Sequence, residues 1–190
     1  HTVIGLDTAE PRYVAQRPLW HRCDLLDAAA VERALATHRP AVVIHLAAET
    51  EIKPGDDIES AYPLNSRGGA SLMDACRRQG VERVVVASTQ YVCGPGRLPS
   101  RDDDWFPATP YGASKVLLER QVRATPAGLS WTIVRPTYIW GPWHYGYFRD
   151  LAVTLSRGRY VHPAGRPVVR SYGYVENVCW QLLRIAERRD

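Results

Sequence analysis

Along this chain, β-branched and other apolar runs alternate with stretches in which apolar residues recur every three to four positions. Val3–Leu6, Trp20–Asp24, Ala41–Leu46, Arg83–Ser88 and Trp131–Arg135 read as strands, the last broken by Pro136. The runs at Val42–Ile44 and Val84–Val86 are continuous rather than alternating, as strands covered on both faces are. Between the strands lie helical patterns. One is capped by Asp27 and runs to about Thr37; a second spans Ile58 to Gln79 and stops at Gly80. A third starts at Tyr111, with Thr109 placed to cap it and Pro110 in the first helical position. Shorter patterns cover Leu151–Ser156 and Glu176–Glu187. Strands and helices alternating at this spacing predict βαβ units, hence an α/β fold built on a doubly wound parallel sheet. After Pro142 the pattern loosens. Residues 1–135 are therefore expected to form one domain and 136–190 a smaller C-terminal lobe over the sheet edge. The opening at His1, directly before the apolar run Val3–Leu6, reads as mid-domain, and further chain is expected on both sides.

Composition narrows the field. The 190 residues are 45% hydrophobic with mixed charges, which suits a globular protein with a substantial core. No apolar run approaches the ~18 residues that span a bilayer, so neither a membrane partner nor a signal peptide is expected. The net charge is only +4, and arginines are scattered rather than striped, which speaks against nucleic acid. The four cysteines form no C-x-x-C pair and no cluster with histidine, so no metal is expected and a reduced, cytoplasmic setting follows.

In doubly wound sheets ligands bind beyond the carboxyl ends of the strands, so the residues there carry the chemistry. Asp7 ends the first visible strand, where a carboxylate accepts from both ribose hydroxyls of an adenosine and repels a 2′-phosphate; a plain loop aspartate is the alternative. Asp24 and Leu25 follow the second strand, within reach of an adenine. Leu46, Ala47 and Ala48 end the third with small side chains that admit a close-lying cofactor. Ser88 and Thr89 bring hydroxyls to the same edge, either for a substrate oxygen or for their own turn. Tyr111 and Lys115 lie four apart on one helix face. A lysine cation beside a phenol favours the phenolate and would draw Tyr111 toward a working general base. Lysine is scarce, two against 22 arginines, although an ordinary amphipathic helix with a surface lysine has the same spacing.

Taken in order, Asp7, Asp24-Leu25, His45-Leu46-Ala47-Ala48, Asn65, Ser88-Thr89, Tyr111-x-x-x-Lys115 and Arg135-Pro136 resemble the extended short-chain dehydrogenase/reductases. The nearest group is the NAD-dependent nucleotide-sugar epimerases and dehydratases, and the likeness runs from Thr2 to about Val178. The resemblance implies a Rossmann-like fold, NAD as cofactor, a nucleotide-sugar substrate and a homodimer formed through helices. It casts Tyr111 as base and acid, Lys115 as its pKa partner and ribose contact, and Thr89 as the third catalytic hydroxyl. Asn65 and Ala47 would line the cofactor site, Arg135 would lie beside the nicotinamide, and Arg170 would clamp the substrate diphosphate, a task for a planar fork. Tyr91 becomes a candidate second proton donor.

Three departures qualify the match. The glycine-rich turn that cradles the pyrophosphate is absent, and with its strand is expected upstream of His1. Thr89-Gln90-Tyr91 lacks the Asp-Glu pair of the sugar dehydratases, which counts against water elimination. Tyr138 stands where many members carry a substrate-binding asparagine. The aromatic cluster Trp140, Trp143, His144, Tyr145 and Tyr147 suits a sugar or base pocket and equally a packed core. The expected activity is 4-epimerisation through a transient keto-sugar. A reductase or dehydrogenase of the same substrate class, or a non-catalytic dinucleotide binder, are the alternatives.

Overall fold

The computed structural model describes residues 1–190 except 52, 54–56, 145–146, 162–170 and 189–190. The chain divides into two compact units, His1–Arg135 and Pro136–Asp190.

In the first unit the strands are β1 (Gly5–Asp7), β2 (Trp20–Arg22), β3 (Val42–His45), β4 (Arg83–Ala87) and β5 (Ser130–Val134). All pairings are parallel: β1 with β2, and β3-β4-β5 in that order. The helices are α1 (Ala28–His38), α2 (Ile58–Ala61), α3 (Gly69–Arg78) and α4 (Pro110–Arg123). The strands form two parallel sheets, β1-β2 and β3-β4-β5, each joined through strand–helix–strand units of the kind a doubly wound fold is built from. Among the described residues no strand pairs the outer edge of β1 or of β3. All three residues of β1 are accordingly exposed, together with Val3. β4 is the buried centre. Val84, Val85 and Val86 are sealed, and Val31 and Leu35 of α1, Leu72, Met73 and Cys76 of α3, and Leu118 and Val122 of α4 join the core around it.

The helix starts follow their caps. Asp27 accepts from Ala30 N at 2.9 Å, and Thr109 Oγ1 accepts from Gly112 N at 3.0 Å behind Pro110. The continuous helix expected over Ile58–Gln79 is corrected. α2 ends at Ala61, a π-helical turn covers Leu64–Gly68, and α3 begins at Gly69. Pro63 is the cause: its ring disfavours helical geometry at Tyr62, whose φ and ψ are −128° and 59°. Gly69 then lies so close to α4 that a Cβ there would stand 2.3 Å from Leu118 Cδ1.

The second unit contains β6 (Tyr138–Trp140), α5 (Tyr147–Ser156), β7 (Tyr172–Tyr174) and α6 (Val175–Glu187). β6 pairs with β7 in parallel, a small sheet the hydrophobic pattern did not announce. Both strands are three residues long and aromatic-rich, too short for an alternation to register. No helix of the described residues is long and apolar enough to cross a membrane.

Candidate active site

The carboxyl end of β4 and the first turns of α4 meet residue by residue. The Thr89 hydroxyl hydrogen-bonds the Tyr111 phenol. Lys115 Nζ donates to the Ala87 carbonyl at 2.9 Å. Ser88 Oγ donates to Glu119 Oε1 at 2.6 Å. Three consecutive residues leaving β4 are thus held by three residues spaced one turn apart along α4. Gly112 makes the approach possible, because a Cβ there would stand 2.3 Å from the Tyr91 carbonyl oxygen. Tyr91 places its ring edge-on to that of Tyr111, with centroids 6.3 Å apart.

The electrostatics differ from the expectation. Burial pushes the Tyr111 phenol up from its ordinary value; the Thr89 hydrogen bond opposes this, and Lys115 is not among the groups that lower it. Lys115 is only 2% exposed, and burial brings its ammonium down to about 8, with Glu119 pulling the other way. In the protein alone, Lys115 therefore holds the β4 carbonyl rather than acidifying Tyr111. His45, buried at the end of β3, is lowered to about 4, first by burial and then by the Lys115 charge, so its imidazole is neutral. Its Nε2 is buried without a hydrogen-bond partner.

Asp7 and Asp24 sit exposed at the ends of β1 and β2, each closing a short turn: Asp7 Oδ1 accepts from Ala9 N and Asp24 Oδ1 from Leu26 N, both at 2.9 Å. Leu25 is half-buried and packs against the core. Leu46 is 58% exposed immediately after buried His45; Ala47 is exposed as well and Ala48 half-buried. An apolar step this bare beyond a strand end fits a flat ring-bearing cofactor lying across it.

The Asn65 side chain is occupied within the protein. It is fully buried. Its amide accepts from Glu49 N and donates to Glu49 O and to Ser114 Oγ, all at 2.9 Å. It ties the segment after β3 to α4. The Arg135 guanidinium is likewise occupied, with Nε and Nη2 donating to Glu119 at 2.8 and 2.6 Å and Nη2 also to the Asp102 carbonyl. Only the backbone at Arg135–Pro136 is left to face a cofactor.

In the second unit the Tyr138 and Tyr172 rings lie 6.1 Å apart. A separate cavity of about 630 Å³ there is lined by Trp140, Gly141, Pro142, His144, Arg149 and Tyr174. Arg170 and Tyr145 fall outside the described residues.

A parallel, doubly wound unit with Thr, Tyr and Lys gathered at one strand end defines a dinucleotide-binding enzyme class. The whole chain, residues 1–190, matches the NAD dependent epimerase/dehydratase family and belongs to it. The chain is 36% identical to a UDP-glucose 4-epimerase of Azospirillum brasilense over 121 residues, which cover 59% of this chain and 34% of that protein. It is 39% identical to a dTDP-4-dehydrorhamnose reductase of Streptomyces griseus over 124 residues, 62% of this chain and 39% of the relative. Among solved structures, MoeE5 in complex with UDP-glucose and NAD superposes with a TM-score of 0.78 at 29% identity, covering all of this chain and 64% of MoeE5. The chain thus spans little more than a third of these curated relatives. The Rossmann-like fold expected from the strand pattern is present, in a family that is NAD dependent.

Proposed function

We propose that this protein is an NAD-dependent epimerase of a nucleotide-sugar, working through a transient keto-sugar. The observation that carries the reading is the Thr89–Tyr111 hydrogen bond at the end of β4, with Lys115 anchored one turn along the same helix. NAD, when bound, supplies the hydride acceptor and later the donor. The first unit holds it: Asp7 takes the ribose hydroxyls, Asp24 and Leu25 the adenine, and Leu46, Ala47 and Ala48 form the floor. Asn65 acts one step back by fixing that floor to α4.

Tyr111 takes the proton from a sugar hydroxyl as the carbon beneath it is oxidised, and returns it when the ketone is reduced. Thr89 bonds the same oxygen throughout. Burial favours the protonated phenol, so the base needs positive charge nearby, which the oxidised cofactor would supply when bound. Tyr91, edge-on to Tyr111, stands as a second phenol for the keto-sugar. Tyr138 and Arg170, in the second unit, contact the nucleotide-sugar.

A reductase of a keto-sugar is the second reading. It is favoured by the Streptomyces griseus relative. Incubation of the full-length protein with NAD and UDP-glucose separates the two. UDP-galactose formed without accumulating NADH supports the epimerase. Stoichiometric NADH consumption with a 4-keto-sugar nucleotide supports the reductase. Tyr111→Phe is expected to cut turnover by roughly 10²–10⁴-fold while NAD affinity stays within about twofold; full activity in that variant removes Tyr111 from the mechanism.

A further inference from the structure

Glu119 is fully buried on α4, two turns beyond Tyr111 and one beyond Lys115, with both carboxylate oxygens engaged. Oε1 accepts from Ser88 Oγ at 2.6 Å and Arg135 Nε at 2.8 Å. Oε2 accepts from Trp105 Nε1 at 2.7 Å and Arg135 Nη2 at 2.6 Å. These donors come from three separate places: the end of β4, the end of β5 and the segment leading into α4. A single carboxylate therefore joins every piece of backbone that places Thr89, Tyr111 and Lys115.

We infer that Glu119 is the positioning residue of this site: by anchoring Ser88 it sets Thr89, on one side, against Tyr111 and Ala87, on the other, against Lys115. The inference rests on the epimerase reading for the roles of Thr89, Tyr111 and Lys115. The geometry supports both halves. Ser88 is the residue between Ala87, which Lys115 holds, and Thr89, which bonds Tyr111. A seryl hydroxyl held by an ionised, arginine-paired carboxylate is a stiff anchor, since charge-assisted bonds are about twice as strong as neutral ones.

The electrostatics around Lys115 support the same role. The ionisable groups coupled to it are His45 from β3, which is neutral, and Glu119 on its own helix. Burial opposes the ammonium, and Glu119 is the group that favours it. Burial would raise Glu119 itself, but hydrogen bonds from Arg135, Ser88 and Trp105, with the Arg135 charge, hold the carboxyl below its ordinary value, so it stays charged.

The test is Glu119→Gln in the full-length protein, a change that keeps the shape and removes the charge. This chain has two lysines, Lys53 and Lys115, so ¹³C-labelled lysine with Lys53→Arg for assignment isolates the Lys115 titration without any need for turnover. The Lys115 midpoint is expected to fall below its wild-type value of about 8. With UDP-glucose and NAD as probes, kcat should drop roughly ten- to hundred-fold with KM and NAD affinity retained, and the alkaline limb of the kcat profile should move to lower pH. An unmoved Lys115 midpoint in a folded Glu119→Gln protein overturns the inference. If that variant does not fold, Ser88→Ala is read by the split between kcat and KM: a roughly tenfold or larger fall in kcat at unchanged KM supports the anchor, and an unchanged kcat overturns it. A wild-type protein inactive on UDP-glucose defeats the epimerase reading for that substrate, while the lysine titration still decides the role of Glu119.

Discussion

At the scale of single residues, burial decides what each titratable group does. That Tyr111 and Lys115 share a helix face and that Thr89 lies just past a strand end was legible from spacing. The sign of the Tyr111 shift was not, because it depends on how much solvent the fold removes from both side chains. Glu119 was invisible for a similar reason. In Leu117-Leu118-Glu119-Arg120-Gln121 it reads as one more solvated charge, and its partners Ser88 and Arg135 lie 31 residues before it and 16 after. His45 provides a test by pH. Its folded-state value of about 4 lies below the ordinary 6.5, so the unfolded chain binds the extra proton. Stability from this group is complete above about 6.5 and is lost as pH falls toward 4, by about 3 kcal/mol. Lys115, lowered to about 8, acts in the same sense at higher pH, with stability rising from about 8 toward 10.5. Urea midpoints measured between pH 4 and 7 should slope upward, and His45→Gln should flatten that slope; an equal slope in the variant would exclude His45 as its source.

At the scale of elements, caps and breakers carried the reading where they were heeded. Asp27 and Thr109 start α1 and α4 where a side-chain oxygen before an apolar period predicts a helix start. The periodicity through Ile58–Gln79 runs across Pro63, and the break falls where its ring requires. Gly112 belongs to the same lesson. Nothing local explains a glycine in the first turn of α4, since its φ needs no exception; the reason is the Tyr91 carbonyl packed against it. Gly112→Ala is therefore expected to cost about 1–3 kcal/mol, the usual penalty for overpacking against backbone that cannot yield. Because the collision lies between Tyr91 and Tyr111, kcat should fall with it. Thermal unfolding and turnover of this variant check both. A variant as stable and as active as the parent would mean that α4 does not approach β4 this closely.

At the scale of the whole molecule, the candidate residues fall into two units. Exposed Asp7 and Asp24 and the bare step Leu46–Ala47 all lie in His1–Arg135, whereas Tyr138, Arg149 and the cavity under Trp140 and Tyr174 lie in Pro136–Asp190. The second unit was the less legible one, because its strands are three residues long and its aromatics served equally well as core or as pocket wall. In the structure the Trp140 and Tyr174 rings pack 5.2 Å apart, and both residues line a cavity together with Arg149. If the first unit binds cofactor and the second the nucleotide-sugar, substitutions should separate the two affinities. Asp7→Ala removes the carboxylate that accepts ribose hydroxyls and repels a 2′-phosphate, so NAD should bind roughly tenfold more weakly, NADP relatively better, and UDP-glucose unchanged. Tyr174→Leu removes an aromatic wall but preserves apolar volume, so the UDP-glucose KM should rise roughly three- to tenfold while NAD affinity holds. Calorimetric titration of each variant with each ligand fills a two-by-two comparison. Equal losses of both affinities in both variants would contradict the division, because a change confined to one unit would then be felt at both sites.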